Sequence, residues 1–356
     1  MSSLLLALPA WAEVRVENLI EDAGLREGPV AMRDVRGWSP PGKVVIIEGA
    51  GLTAELRAAF PGIEIVGAGS DAEALAAVAD ADALIGFCSD DLVDAGGDLV
   101  WVQIFSAGAE HCVPVERIAS GDVILTNMQK MSSPVLGEHA VAMMMALTRG
   151  LVQYGKLMPS GEWNRGLVDE FGVTSVNGRT MLVAGLGGIG TAAARRAAGL
   201  GMRVVATRAS SREGPDFVEY VGLSDELFEL AAGADVIVNA LPLTPETEDL
   251  FDAAFFDAAK RGHYFINVGR GGSVVTADLV AALEDGRVAG AGLDVTDPEP
   301  LPADHPLWKM DNVIITPHMA GFGSDSERHA VLLRENIRRF IAGDALLNVV
   351  DPEKGY

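Results

Sequence analysis

The chain is 356 residues long and 49% hydrophobic, and its 50 acidic residues against 27 basic ones give a net charge of −23. That length exceeds the usual size of one hydrophobic core, so two domains are expected. The charge repels nucleic acid and anionic membrane surfaces, so neither is expected as a partner, and any anion site must be a local concentration of Arg and N–H groups.

Leu4 to Ala12 has the outline of a cleavable leader, with Ala10 and Ala12 at small-residue positions, but it lacks a basic start and Pro9 interrupts it. It reads as a packed or frayed N-terminal segment. No apolar run approaches the ~20 residues that span a bilayer. Cys88 and Cys112 are the only cysteines, too few for a disulfide scaffold and compatible with a reducing cytosol. A metal built on them would need further ligands that the sequence does not display, so no metal is expected. A soluble, cytoplasmic protein is.

Between Lys43 and Asn127 short apolar runs (Val44–Ile47, Ile63–Val66, Ala83–Ile85, Val100–Ile104, Val123–Leu125) alternate with helical patterns at Thr53–Phe60 and Asp71–Ala79. That alternation predicts a parallel sheet covered on both faces, in a first α/β domain of flavodoxin-like type. Ser133-Pro134 reads as an N-cap followed by proline at the first helical position. A long apolar helix over Val135–Leu151 is then predicted as a buried connection, with Met143, Met144 and Met145 filling gaps between domains. From Thr180 a second series of strands begins: Met181–Ala184, Val204–Thr207, Val236–Asn239, Phe265–Val268, Ala291–Asp294 and Val313–Ile315. Strands separated by helices in this number suit a doubly wound sheet. A last helix, about Asp325 to Ile341, is long enough to return to the first domain.

The first strand of the second series runs into Gly185-Leu186-Gly187-Gly188-Ile189-Gly190 and then an Ala-rich helix. In a strand, turn and helix of this kind the first glycine permits the turn and the second admits a pyrophosphate close to the main chain. The third lets helix and strand pack, while the helix N-terminus offers N–H groups to the anion. The strand that follows ends in Arg208, with Ser210, Ser211 and Arg212 just beyond, where an acid would otherwise take the ribose hydroxyls. Guanidinium groups and hydroxyls here predict a 2′-phosphate pocket and favour NADP(H), with NAD(H) remaining possible.

Three further segments place ionisable residues at strand ends: Ile266 to Gly271 with Arg270, Gly290 to Pro300 with Asp294 and Glu299, and Ile314 to Gly321 with His318. Arg270, Glu299 and His318 together supply an anion clamp, an orienting carboxylate and a group that titrates near neutrality. His139, beside Glu138, reads as structural, and His111, His263, His305 and His329 have no motif around them.

With the glycine turn, the Leu241–Thr247 segment and these three blocks, the chain from about Ala83 to Val349 resembles the D-isomer-specific 2-hydroxyacid dehydrogenases, which include glyoxylate/hydroxypyruvate reductases. The resemblance implies an α/β fold of two doubly wound domains. A Rossmann-type coenzyme domain (128–318) would be inserted in a flavodoxin-like substrate domain made of 1–127 and 319–356. It implies that Arg270 binds the substrate carboxylate and keto oxygen, that His318 protonates that oxygen, and that Glu299 hydrogen-bonds the imidazole and favours its charged form. It places Gly185, Gly187, Gly188, Ile189, Gly190, Leu241, Pro242, Thr247 and Val268 on the cofactor and Asp294 at the nicotinamide carboxamide. Ser106, Ala107 and Gly108 would hold the substrate carboxylate, with Phe87 and Cys88 lining the same cleft. The cleft would close on hinges near Met128 and Met319, and the helix from Val135 would pair two subunits in a homodimer.

Two departures stand out. Val275-Thr276 replaces a pair of acids common in the family, and Arg208 replaces the acid of NAD-dependent members; Glu299 argues against formate dehydrogenase, where glutamine is expected. The resulting expectation is NADPH-dependent reduction of a small 2-oxo acid to the D-2-hydroxy acid. Two alternatives stay open: NAD-dependent oxidation of a D-2-hydroxy acid, and a dinucleotide-sensing, corepressor-like binding protein.

Overall fold

The structure is a computed structural model that describes residues 16–47, 50–170, 172–323 and 326–355. The leader-like segment at 4–12 lies outside the described residues. The chain forms two compact units, one of Met1–Met131 with Asp325–Tyr356 and one of Ser132–Ser324.

In the first unit a strand β1 (Glu27–Ala31) precedes a parallel sheet of β2 (Lys43–Ile47), β3 (Glu64–Ala68), β4 (Ala83–Gly86), β5 (Trp101–Ile104) and β6 (Ile124–Thr126). Its order is β3-β2-β4-β5-β6, the flavodoxin-like order. Val44 and Ile46 face one layer with Leu56 and Phe340, while Val45 faces the other with Val78 and Leu92, which is why these strands read as unbroken apolar runs. Two helices of this unit, Asp71–Val78 and Asp90–Ala95, start where a serine caps them. Ser70 Oγ accepts from Glu73 N–H at 3.3 Å, and the Glu73 carboxylate accepts in turn from Gly69 N–H at 2.8 Å.

The second unit is a seven-stranded sheet of β7 (Thr180–Ala184), β8 (Arg203–Arg208), β9 (Tyr220–Leu223), β10 (Val236–Asn239), β11 (His263–Asn267), β12 (Val288–Leu293) and β13 (Val313–Ile315). All neighbours are parallel, in the order β13-β12-β11-β10-β7-β8-β9. The winding reverses between β7 and β10, so the loops after these strands diverge and leave a crevice at their carboxyl ends. The strand β9 escapes the sequence pattern because it is four residues long and contains Gly222.

After β13 the helix Ser326–Ala342 turns Val331, Leu332, Ile337 and Phe340 into the first unit's core. The chain ends in β14 (Ala345–Leu347), antiparallel to β1. Both crossings fall a few residues beyond the expected 127/128 and 318/319, for identifiable reasons. Met128 and Met131 are buried in the first unit's core, and the turn carrying His318 is tied by Asp294 into the second unit.

The predicted helix Val135–Leu151 is corrected in two respects. It runs Ser133–Thr148 with Ser132 as N-cap, and it breaks at Gly150, whose φ of 62° begins a separate helix, Leu151–Leu157. Its methionines pack inside the second unit: Met143 lies against Gly292 of β12, and Gly137 lets the helix approach Ala192 so closely that a Cβ would stand 2.8 Å from that residue's backbone. Among the described residues no single helix is long and apolar enough to cross a membrane.

His263, at the start of β11, is fully buried and stacks on Phe256. Its Nδ1–H donates to the Lys260 carbonyl at 2.9 Å, and Nε2 has no partner. Burial pushes this imidazole below its ordinary value, against the opposing pull of that carbonyl. A depressed histidine contributes stability above its unfolded value, 6.5, that is lost as pH falls from there toward the folded value. The melting-temperature advantage of the parent over His263→Phe should therefore shrink between pH 7 and pH 5; a constant difference in thermal scans would contradict this account.

Candidate active site

At the carboxyl end of β7 the glycine turn performs three separate steric jobs. Gly185 has φ +89°, where a side chain is strained, and a Cβ there would also stand 3.0 Å from the Ala240 carbonyl. At Gly190 a Cβ would fall 2.1 Å from the Gly185 carbonyl oxygen and 2.8 Å from Val183 Cγ1, so glycine is needed for the helix Gly188–Gly199 to pack on its strand. A Cβ at Gly187 would point into open space instead. Gly187 is the N-cap and offers no capping side chain, and the first helical bond is made by Thr191 N–H, so the N–H groups of Gly188, Ile189 and Gly190 have no partner within the helix. The arrangement fits a pyrophosphate. Beyond β10 the turn with Leu241 and Pro242 is held by Thr247, whose hydroxyl donates to the Pro242 carbonyl at 2.7 Å.

The end of β8 separates the two arginines that the sequence reading grouped. Arg208 is half-buried, and its Nε is buried with no partner, an orphaned donor of the kind a bound anion satisfies. Arg212 is engaged elsewhere: it pairs with Glu226 at 2.6 Å and donates to the Tyr220 hydroxyl at 2.8 Å. Arg212 first, then the Tyr220 hydroxyl and Leu223 N–H, hold the Glu226 carboxyl down to about 2. Ser210 is exposed, and Ser211 Oγ accepts from Glu213 N–H at 3.0 Å.

The neighbouring strands β11, β12 and β13 deliver the loops that carry Arg270, Glu299 and His318 to the same edge of the sheet. The Arg270 carbonyl accepts from Asn267 Nδ2 at 3.0 Å and Ser273 Oγ at 2.7 Å, while Asn267 Oδ1 accepts from Gly269 N–H and Asn239 Nδ2. Val268, between these anchors, is buried. Arg270 itself is half-buried, with Nη1 donating to the Gly269 carbonyl at 2.9 Å. Next to it a Cβ on Gly271 would overlap the Thr296 carbonyl at 1.9 Å, and Thr276 Oγ1 donates to the Asp297 carbonyl at 2.6 Å. The Arg270 loop is thus fastened to the loop that carries Glu299, and Thr276 supplies one of the fasteners.

His318 Nδ1 lies 2.7 Å from Glu299 Oε1, with the two side chains 52% and 42% exposed. A carboxylate accepts, so Nδ1–H donates and Nε2 is left for a substrate. The residue has φ +49°, unusual for a side chain of this size. Asp294 holds it there. Its carbonyl accepts from His318 N–H at 2.8 Å, Oδ1 from Met319 N–H at 2.9 Å and from the Thr316 hydroxyl at 2.6 Å, and Oδ2 from Ala320 N–H at 3.0 Å. Expected at the nicotinamide carboxamide, the buried Asp294 carboxylate spends three of its roughly four acceptor sites on this turn.

Phe87 and the Ser106-Ala107-Gly108 turn stand at the carboxyl ends of β4 and β5 in the first unit. The turn is braced by Ser106 Oγ donating to the Gly108 carbonyl and Asn127 Nδ2 donating to the Ala107 carbonyl, each at 2.7 Å. Here the sequence reading of the cysteines is corrected. Cys88 and Cys112, both buried and 5.8 Å apart at Cα, form a disulfide between these two strand-end loops. The His111 ring approaches within 4.8 Å of their sulfurs, but the sulfurs are bonded to each other.

Several residues that build the site had weak signals or none. Asn239 and Asn267 each close an apolar strand, which is a legible cue; Thr316 and His139 acquire their partners only across the fold, as Ser273 does its bond from Asn239.

The profile of the D-isomer specific 2-hydroxyacid dehydrogenase NAD-binding domain matches residues 141–320. The chain is 32% identical over 287 residues to a glyoxylate reductase of Korarchaeum cryptofilum, covering 78% of this chain and 84% of that one. A glycerate dehydrogenase of Methylorubrum extorquens is 32% identical over 252 residues, covering 69% and 77%. Among solved structures, the NADPH-dependent glyoxylate/hydroxypyruvate reductase of Sinorhizobium meliloti, in complex with NADP and sulfate, superposes with a TM-score of 0.77 at 30% identity. That match covers 88% of this chain and all of the other. A family member of Xanthobacter autotrophicus in complex with NADPH and MES gives 0.76 at 29%, covering 89% and 100%. The chain belongs to the D-isomer specific 2-hydroxyacid dehydrogenases. It is an NAD(P)-dependent oxidoreductase acting on 2-hydroxy or 2-oxo acids.

Asn267 offers a direct check on how the site is built. In Asn267→Ala the buried Gly269 N–H loses its acceptor, at a cost of ~1–3 kcal/mol in urea unfolding. The loosened Arg270 loop should also raise KM for the oxo acid. Unchanged unfolding would show that this network does not anchor the loop.

Proposed function

We propose that the chain is an NADPH-preferring reductase of small 2-oxo acids such as glyoxylate or hydroxypyruvate, yielding the D-hydroxy acid where the product is chiral. The His318–Glu299 pair at 2.7 Å carries this reading, because it leaves Nε2 of a polarised imidazole as the outward group. A nicotinamide cofactor held at the Gly185–Gly190 turn would supply the hydride for the carbonyl carbon. Arg270 clamps the substrate carboxylate and keto oxygen and offsets the negative charge growing on that oxygen. His318 Nε2–H delivers the proton that completes the hydroxyl, and Glu299, hydrogen-bonded to Nδ1–H, fixes the ring's orientation. Solvent reprotonates His318 between turnovers.

The orphaned Arg208 Nε supports a 2′-phosphate, with Ser210 and Ser211 beside it. Arg212 enters such a pocket only by leaving Glu226, so Arg208 is the principal determinant. Asp294 retains one acceptor site for the nicotinamide amide, and Ser106, Ala107, Gly108 and Phe87 are the further candidates for substrate binding.

Turnover assays with oxo acids, following absorbance of NADPH and NADH in parallel, test the proposal. His318→Ala should lower reductive kcat roughly 10²- to 10⁴-fold; near-parental turnover would remove His318 from the chemistry. Arg208→Asp should weaken NADPH binding about tenfold or more, the worth of a charge-assisted bond, and leave NADH little changed. An unaltered preference between the two cofactors would refute the phosphate assignment.

A further inference from the structure

We propose that His139 is a positioning residue for the proton donor, acting through the Thr316 hydroxyl on the carboxylate that shapes the His318 turn. This rests on the reading of His318 given above.

The direction of each hydrogen bond follows from valence. Thr316 Oγ1 carries one proton, and at 2.6 Å from Asp294 Oδ1 it faces a group that can only accept, so the proton goes there. His139 Nε2 lies 2.9 Å from the same Thr316 oxygen and must therefore be its donor, which selects the tautomer with hydrogen on Nε2. Direct contact does not substitute for this relay, because Nε2 is 3.7 Å from Asp294 Oδ1. Thr316 is the necessary middle member.

The relay ends on the residues that matter for proton delivery. Asp294 gathers the consecutive N–H groups of His318, Met319 and Ala320, one on its carbonyl and two on its carboxylate. These bonds, with a local one from His318 N–H to the Thr316 carbonyl at 2.9 Å, hold His318 at φ +49° with its side chain half exposed. The relay begins on a rigid element. His139 sits two residues after Gly137, where the helix Ser133–Thr148 presses against Ala192 of the helix Gly188–Gly199. The first turn of that second helix is the anion cradle. His139 thus references the proton donor to the helix that receives the hydride-bearing cofactor, and a small slip between the two would separate the groups that must act together.

The test uses the full chain with His139→Leu, His139→Gln, Thr316→Val and the double variant His139→Leu/Thr316→Val. Retained NADPH binding by fluorescence serves as the check of folding. His139→Leu and Thr316→Val should each lower reductive kcat about tenfold while KM and the NADPH dissociation constant move less than about twofold. The double variant should be no worse than the poorer single one, because both break the same relay. His139→Gln, whose amide can donate from nearly the same place, should recover most of the loss. Multiplying effects, an unchanged kcat in His139→Leu, or a glutamine no better than leucine would each overturn the proposal.

A readout that needs no turnover separates this idea from the functional reading. Amide exchange of the peptide spanning 318–320, followed by mass spectrometry, should accelerate in His139→Leu and Thr316→Val and return toward parental rates in His139→Gln. If the parental chain reduces no oxo acid, the functional reading fails and exchange alone decides whether His139 holds the turn. Unchanged exchange in His139→Leu overturns the relay whatever the enzyme's activity, and faster exchange with parental kcat reduces His139 to a structural support.

Discussion

The Asp294 carboxylate is the interaction on which the reaction end of this protein depends. A buried carboxylate is costly unless donors surround it. Here the donors are a hydroxyl and two main-chain N–H groups from the one turn that carries His318. Satisfying the buried charge and shaping the turn are a single event, so the imidazole is presented by the same bonds that let Asp294 remain inside. His318 then meets Glu299 from the neighbouring strand end, and the Arg270 loop is fastened to the Glu299 loop through Gly271 and Thr276.

A protein of charge −23 that handles an anionic cofactor and an anionic substrate must concentrate its positive groups. In the function proposed above, the second unit does so with few residues. The uncapped first turn of the helix Gly188–Gly199 contributes main-chain N–H groups, Arg208 a buried unpartnered Nε, and Arg270 a guanidinium whose backbone is anchored by two asparagines and a serine. Arg212 shows the opposite outcome. Sequence proximity puts it beside Arg208, but β9 carries Tyr220 to it and the turn after β9 brings Glu226, and that local pair claims its charge.

Much of the architecture was legible because it is written in short-range patterns. Apolar runs bounded by glycine and polar residues mark the core strands, and the glycine fingerprint is recognisable because each glycine answers a steric demand: a left-handed turn at Gly185, an open face at Gly187, a close approach at Gly190. Elements whose stability comes from neighbours were not legible. The strands β1 and β14 pair across the whole length of the chain and contain Gly28-Pro29 on one side and three residues on the other. The methionine-rich helix had the composition of a connector, but its small residues fit the second unit, where Gly137 and Ala140 allow the helix Gly188–Gly199 to approach. The cysteine pair looked unconnected because its partners are separated by 24 residues, and the parallel strands β4 and β5 bring their loops side by side.

The amino-acid sequence by itself determined the two α/β series, the dinucleotide turn, and the set of Arg270, Glu299 and His318, since strand periodicity, glycine sterics and strand-end chemistry are local properties that survive without coordinates. Only the tertiary structure decided how those groups are held: which arginine keeps an open donor, which acid is consumed in shaping a turn, and that His139 reaches Thr316 across 177 positions. The reason is physical. Hydrogen-bond partners are chosen by distances of about 3 Å between groups that no sequence interval encodes, and a buried polar group takes whichever partner the packing brings.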